Sequence, residues 1–479
     1  MKQKLPLVLI AAGILIAAVS LLADFIGLGS PGGIPAMQVL GAEAGVVLAL
    51  IGLGWRIRQQ GGEALPSWRG ATTWVGNQPV LTWVIVGFLV AYLLCFIAPA
   101  IYNPQYRFQY FTDYLHPREK IGFDARLILE HVGHWYLQDQ TAKYLYPPLT
   151  TVLFTPLLLL RFPYNYYVVT VVTLLSFLAL NLLLPLHMDK KREARALILF
   201  VFVLTAFSYG LQFELETGQF YTLAMLMTML GAYIFHEHPR YRIFAYLFFC
   251  VSIQLKMMPA VFIFLFVDDW RDWKATLKRF IGLGLANILL LFLLGLPYLQ
   301  LFLARLDGSK YNMEPLYNHS IKVFVLNLAQ TGYGMFAGAS LDWVRANVNG
   351  ITLSLFAWYA LCFAVTLFLA WKRNARGVDA SLLTVSLIGG LVLPTISHDY
   401  NLPLLALPFM LWTSGLHLPE KPWTRLLAIA LLLLASFAFA VTLFPSNARP
   451  APLENSLPAL MVILTAVTAM EFLEKKVGF

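Results

Sequence analysis

Apolar runs of about 17 to 25 residues recur along the whole chain, each long enough to cross a bilayer core of about 30 Å. That repetition fixes the fold class: all-α, a polytopic transmembrane helix bundle. Charge content agrees, because 12% of the 479 residues are charged and 59% are hydrophobic, where a soluble chain carries about 25% charged residues. The mean hydropathy of +0.70 points the same way.

The formal net charge of +9 is not that of a nucleic-acid surface. The cations stand in short clusters beside apolar runs: Arg56/Arg58/Arg69, Lys190/Lys191/Arg192/Arg195, Arg240/Arg242, Arg271/Lys274/Lys278/Arg279, Lys372/Arg373/Arg376 and Lys475/Lys476. Such clusters anchor topology by staying in the cytoplasm. Holding them inside predicts helices near 5–27, 35–55, 79–101, 164–186, 195–210, 218–235, 243–255, 257–267, 276–297, 350–371, 380–396, 400–415, 425–444 and 455–473, with both termini cytoplasmic. A full crossing by 147–161 would push the Lys190–Arg195 cluster outside. That segment opens with Pro147-Pro148 and carries Pro156, so it reads as a partial or re-entrant helix. Met1-Lys2-Gln3-Lys4 precedes an apolar run, but Asp24–Gly33 leads into a second span, so the first helix is expected to remain as an anchor.

No internal repeat divides the sequence. It reads as one transmembrane domain over 1–479, with two additional N-terminal helices in 1–78, a first outer loop at 102–146 and a second at 298–349. Shorter outer turns are expected at 211–217, 397–399 and 445–454. Cys95, Cys250 and Cys362 lie far apart in apolar runs and read as buried thiols.

Polar chemistry collects on the outer side. The first outer loop holds Asp113, Arg118, Asp124, Arg126, Glu130, His131, His134 and Lys143 in a chain otherwise rich in Leu, Ile, Val and Phe. Asp124 opens a run with helical apolar spacing at Leu127, Ile128, Val132, Trp135 and Tyr136, the pattern of an amphipathic helix at the membrane surface. The carboxylate either caps that helix or, held at the lipid–water boundary, takes a proton from an attacking hydroxyl. Asp113 is the alternative base.

Lys256 is the sharper anomaly. The stretch Ile243–Val267 has basic loops at both ends, so it must enter and return through one face, with Lys256-Met257-Met258-Pro259 at the outer tip. A lysine at bilayer depth costs about 2.5–3.5 kcal/mol unless paired or wet. It either snorkels, pairs with Glu214 or Glu216, or binds a lipid phosphate. Glu214, Glu216 and Gln219 lie at an outer turn, where amide and carboxylate groups suit sugar hydroxyls or the ammonium. Tyr317-Asn318-His319-Ser320 and Ser397-His398-Asp399-Tyr400-Asn401 interrupt the outer ends of later helices. Walker, His-Glu-x-x-His, Cys-x-x-Cys and Asp-x-Asp patterns are missing from the sequence, and the spacing Gly27-x-Gly29-x-x-Gly32 falls between two expected spans instead of opening a helix after a strand, so it is no Rossmann fingerprint. A nucleotide-linked donor therefore has no support, and neither a metal nor another cofactor is implied.

An Asp at the start of a surface helix comes first, then Tyr146-Pro147-Pro148-Leu149, Gly218-Gln219 opening a helix, Lys256-x-x-Pro259 and a basic turn. Asn318-x-Ser320 and Pro394-x-Ile396-Ser397 beside His398 follow. This ordered set, from about Gly122 to Asn401, resembles glycosyltransferase family 87 of the GT-C superfamily, which includes polyprenyl-phosphate-mannose-dependent mannosyltransferases. The resemblance implies a GT-C fold with amphipathic surface helices in the first outer loop. It also implies a polyprenyl-phosphate-linked sugar donor, an inverting transfer and a catalytic Asp that maps onto Asp124. Two positions depart from the family pattern: Leu127 and Ile128 stand where an aromatic is usual, and His398-Asp399-Tyr400 stands where His-His is usual.

The combined expectation is a transferase of a bacterial plasma membrane, working on its outer face, with the lipid bilayer and a glycolipid or glycan acceptor as partners. Asp124 would be the base, with Lys256, Arg126 and His319 on the donor phosphate. Tyr146, Glu214, Glu216, Gln219, Asn318, His398 and Asp399 would line the substrate site. The alternative function is a secondary transporter or lipid flippase, because polar residues beside Pro-broken helices also serve transport pathways.

Overall fold

A computed structural model describes residues 5–22, 45, 48–49, 122–136, 146–188, 195–206, 208–309, 318–332, 338–395, 397–411 and 456–474. The expected helix at 79–101, that at 425–444, most of 35–55, Asp113, Cys95 and the turn at 445–454 lie outside them. The described residues are mostly helical, with no strand among them and a single antiparallel bridge between Asn318 and His398.

The N-terminal helix α1 (Leu5–Leu22) lies against helical residues of the expected second one. At Gly13 any Cβ would collide with the backbone of Gly45 and Ala49, the close approach that small residues allow between membrane helices. Helix α2 (Phe123–Tyr136) forms where the amphipathic run behind Asp124 predicts a helix. Helix α3 (Pro148–Phe154) continues as a 3₁₀ turn over Thr155–Leu159. At 12 residues the two fall short of a crossing, in keeping with a partial helix.

A long apolar helix follows. Helix α4 (Tyr164–Leu178) and α5 (Leu184–Met188) are joined by a π turn over Ala179–Leu183 into 25 continuous residues. The π turn immediately precedes Pro185, whose missing N–H and bulky ring disturb the ordinary helical ladder. Next come α6 (Arg195–Ala206), α7 (Tyr209–Thr217), α8 (Tyr221–Glu237) and α9 (Arg242–Leu255). Residues 211–217, expected as a turn, are thus a helix. Ser208 starts it by accepting a bond from the Leu211 N–H, and Gly218, at φ +73°, ends it.

Helices α8 and α9 form a close hairpin. At Gly231 an added Cβ would stand 2.9 Å from the Ala245 carbonyl oxygen, so the two backbones touch there. After Lys256 the chain returns as a 3₁₀ helix, Met258–Phe266, where α-helix was expected. Geometry accounts for the tighter winding. The 14 residues of α9 rise about 21 Å at 1.5 Å each, and nine 3₁₀ residues rise about 18 Å at 2.0 Å each. The excursion therefore begins and ends at one level, where Asp268 pairs with Arg242 at 2.8 Å and Arg279 at 3.0 Å.

Helix α10 (Trp273–Leu290) and α11 (Gly295–Ser309) meet at 102°. The apolar run 276–297 thus contains a sharp corner, and the segment 298–349, expected as an outer loop, includes three helices: most of α11, α12 (Ile321–Thr331) and α13 (Ala339–Ala346). Helix α14 (Val348–Arg373), 26 residues long, is the second helix among the described residues that is long and apolar enough to span a bilayer alone. Helix α15 (Ala380–Val392) is buried along its entire length. It packs against α14, the 3₁₀ segment 258–266, α16 (Ala406–Leu411) and α17 (Leu457–Glu474). A helix apolar on every side belongs inside a bundle. Two adjacent glycines admit its neighbours, Gly389 lying against Tyr359 and Gly390 against Met258. Cys250 and Cys362 are buried free thiols, and Cys250 Sγ accepts from Asn287 Nδ2 at 3.4 Å.

Candidate active site

The candidate site forms where α2 docks on the end of α7. Gly122, at φ +70°, donates its N–H to the Glu216 carbonyl at 2.7 Å and so fixes the start of α2. Both turn glycines face Tyr166. A Cβ on Gly122 would meet the Tyr166 ring at 2.8 Å, and one on Gly218 would meet Ala125 Cβ at 2.7 Å. Tyr166 is fully buried and ties itself to the Leu215 carbonyl at 2.9 Å. Asp124, in the first turn of α2, is thereby set beside Gln219, the residue after Gly218.

Gln219 spans two charges. Its amide nitrogen donates to Asp124 Oδ2 at 2.6 Å, and its amide oxygen accepts from Lys256 Nζ at 2.5 Å. Its main chain is held as well, the N–H by the Glu214 carbonyl at 2.9 Å and the C=O by Thr173 Oγ1 at 3.1 Å.

Lys256 sits at the C-terminal end of α9, in extended backbone. Its ammonium also donates to the Tyr146 hydroxyl at 3.2 Å. It lies 4.6, 4.4 and 4.2 Å from the ring centres of Tyr146, Phe220 and Tyr221. Cation–ring contacts stabilise a charge by about 0.5–1 kcal/mol each, and more when desolvated. Three of them with two hydrogen bonds are of the size needed to offset the cost of a lysine at membrane depth. Asp124 and Glu214 are the acids whose charge it feels.

Glu214 is fully buried and accepts twice from Thr222, from its N–H at 2.7 Å and its hydroxyl at 2.5 Å. Burial pushes its carboxyl up to about 7, with Thr222 and the more distant Lys256 ammonium pulling the other way. A second polar chain supports the cage from behind. The Tyr298 hydroxyl of α11 donates to the Tyr146 carbonyl at 2.8 Å, while Thr151 Oγ1 and His131 Nε2 approach that hydroxyl at 2.5 and 3.2 Å.

Other sequence-derived candidates lie elsewhere. Arg126 stacks its guanidinium on the Phe162 ring, 3.7 Å from the centre. Glu216 meets α2 through its backbone, and its carboxylate is felt by Tyr166. Asn318 and His319 form a second group with the 395–398 turn. Asn318 donates to the Thr395 carbonyl at 2.9 Å and accepts from the Ser320 and Ser397 N–H groups at 3.0 and 3.2 Å. His319 donates its N–H to the Ser397 carbonyl at 2.7 Å, and its Nδ1 bonds Ser456 Oγ. The Asp399 side chain and Asp113 lie outside the described positions.

Tyr400 connects the two groups. Its ring stands 5.5 Å from His398 and 5.1 Å from Tyr221, to which it is hydrogen-bonded, and it feels the charge of Asp124. Tyr221 and Phe220 escaped the sequence reading, and Tyr400 entered it only as part of the 397–401 motif, with no role at the site. The available signal was adjacency, since Phe220-Tyr221 follows Gly218-Gln219 directly and Tyr400 lies two residues past His398.

An all-α membrane bundle that brings the carboxylate of Asp124 and the helix-end ammonium of Lys256 onto one amide defines a candidate group-transfer site. The model of glycosyltransferase family 87 matches residues 144–397, more than half of the chain. The chain belongs to that family and is a membrane glycosyltransferase. No curated protein matches it.

Proposed function

We propose that the protein moves a monosaccharide, mannose or another hexose or pentose, from a polyprenyl-phosphate donor to a hydroxyl of a lipid-linked or cell-envelope glycan, with inversion, in a GT-C-type fold. One observation carries this reading: Gln219 touches both Asp124 and Lys256. Displacement at an anomeric carbon needs a proton acceptor on the incoming side and a cation on the departing side. Asp124 takes the acceptor hydroxyl's proton as the new C–O bond forms. The old bond from the anomeric carbon to the phosphate oxygen breaks, and its electron pair leaves on polyprenyl phosphate.

Lys256 meets that growing charge. An ammonium has three N–H donors, and two are engaged by Tyr146 and Gln219, leaving one for a phosphate oxygen. Phosphate is a stable leaving anion, so the step balances without a metal. We place the site on the outer face of a bacterial plasma membrane, with both termini cytoplasmic. The charged groups at the opposite end of the α9 excursion, Arg242, Asp268 and Arg279, then mark the inner side.

Asp124→Asn keeps the shape and removes the base. In the purified protein, reconstituted in vesicles with radiolabelled polyprenyl-phosphate mannose and a membrane lipid extract, it should lower transfer by about 10²–10⁴-fold at unchanged thermal stability. Wild-type turnover would move the base to Asp113 or elsewhere.

A further inference from the structure

We propose that Gln219 is a positioning residue, a neutral amide that holds the Asp124 carboxylate and the Lys256 ammonium in fixed register through its opposite ends. The inference rests on the transferase reading above and adds a role for a residue that touches neither reacting bond.

Chemistry dictates the orientation of the amide. A carboxylate only accepts and an ammonium only donates, so the NH₂ end must face Asp124 and the oxygen must face Lys256, the arrangement observed at 2.6 and 2.5 Å. The side chain is buried, and its main chain is pinned from α7 and α4 by Glu214 and Thr173. Direct contact between acid and ammonium would let each neutralise the other, leaving a weaker base and a weaker anion ligand. A neutral spacer keeps both charges available at a set separation, and preorganised charge is what a displacement needs.

A carboxylate at position 219 would still accept from Lys256 but would repel Asp124. Like charge favours the protonated form of a neighbouring acid, so the base becomes available only at higher pH. The other groups whose charge bears on this centre are Lys256 on α9, Tyr221 on α8 and Tyr400 in the segment 399–405, while Glu214 on α7 acts on Lys256. On α2 itself, Arg126 stacks on Phe162 and His131 faces Tyr298. Of these groups, only the Lys256 ammonium is bonded to the Gln219 side chain.

The test is the pH profile of transfer by full-length protein in vesicles with polyprenyl-phosphate mannose. Gln219→Glu should move the acidic limb of kcat to higher pH by about one unit or more and recover part of the lost rate on the alkaline side. Gln219→Met, which makes neither bond, should lose about 100-fold in kcat with little change in donor KM. An acidic limb of Gln219→Glu that coincides with wild type would overturn the role. So would variants that raise KM at unchanged kcat, the mark of direct substrate binding. If Gln219→Met does not fold, the near-isosteric Gln219→Glu decides alone. Asp124→Asn, run alongside, separates the two ideas: wild-type turnover there removes the base assignment itself, whereas an inactive Asp124→Asn with an unmoved Gln219→Glu limb removes only the positioning role.

Discussion

Lys256 illustrates what single residues decide. Its charge in an apolar stretch made it conspicuous in the sequence, as did Asp124 at the head of an amphipathic run. Their common partner was foreseeable only as an option, because Gln219 is an ordinary helix-start residue until Gly218 turns it toward both. Tyr221 was invisible for a related reason, since a tyrosine opening an apolar run reads as core until another chain segment meets it, and Tyr400, though it stood in the polar 397–401 motif, gave no sign that it meets Tyr221 across some 180 residues. The Lys256 cage is built of three rings and two oxygen acceptors around a compact ammonium. Its shape suits a point charge and not a planar fork. Lys256→Ala should raise donor KM by about 10-fold or more while acceptor KM stays near wild type, and Lys256→Arg should not restore donor use. Initial rates with donor and acceptor varied separately check this, and equal losses for both substrates would take the lysine away from the phosphate.

At the scale of elements, legibility followed chain-local signals. The broken helix after Pro147-Pro148, the surface helix behind Asp124 and the paired excursion around Lys256 carry their proline, charge and periodicity marks in sequence. The corner between α10 and α11 does not, because Leu291–Leu294 is as apolar as the helices it joins and the bend appears only as Gly295 at φ +85° followed by Pro297. Residues 211–217 were misjudged for the opposite reason, since two glutamates and a threonine looked like a turn although α7 is capped at both ends. Two glycines test how the elements fix the site. Gly218→Ala places a methyl 2.7 Å from Ala125 Cβ at a positive φ. It should cost about 1–3 kcal/mol and reduce transfer by shifting α2 away from Gln219. Gly133→Ala, also on the α2 side but with none of the described residues within 4 Å of its Cβ, should gain about 0.5–1 kcal/mol with activity intact. Thermal unfolding and transfer rates of the two variants check the pair, and equal behaviour would mean that the α2–α7 junction does not hold the site.

For the whole molecule, the arrangement is one of opposite ends. Arg242, Asp268 and Arg279 tie the start of α9 to the start of α10 and to the return segment, with both guanidinium groups against the Phe235 ring at 4.5 and 4.7 Å. This closes the base of the excursion, and α9 raises Lys256 about 20 Å above it. The buried α15 holds the return segment against the bundle, so the ammonium stands on a braced support instead of a loop. Polytopic character was plain from the apolar runs and the basic clusters. The mutual placement of the carboxylate and the ammonium came only with the fold. The most direct test of their joint role is a cryo-EM structure of the full-length protein bound to a non-transferable polyprenyl phosphonate analogue of the mannose donor. The account predicts a phosphonate oxygen within hydrogen-bond distance of Lys256 Nζ and the anomeric carbon open toward Asp124; a phosphonate seated instead among Asn318, His319 and His398, with Lys256 untouched, would contradict it.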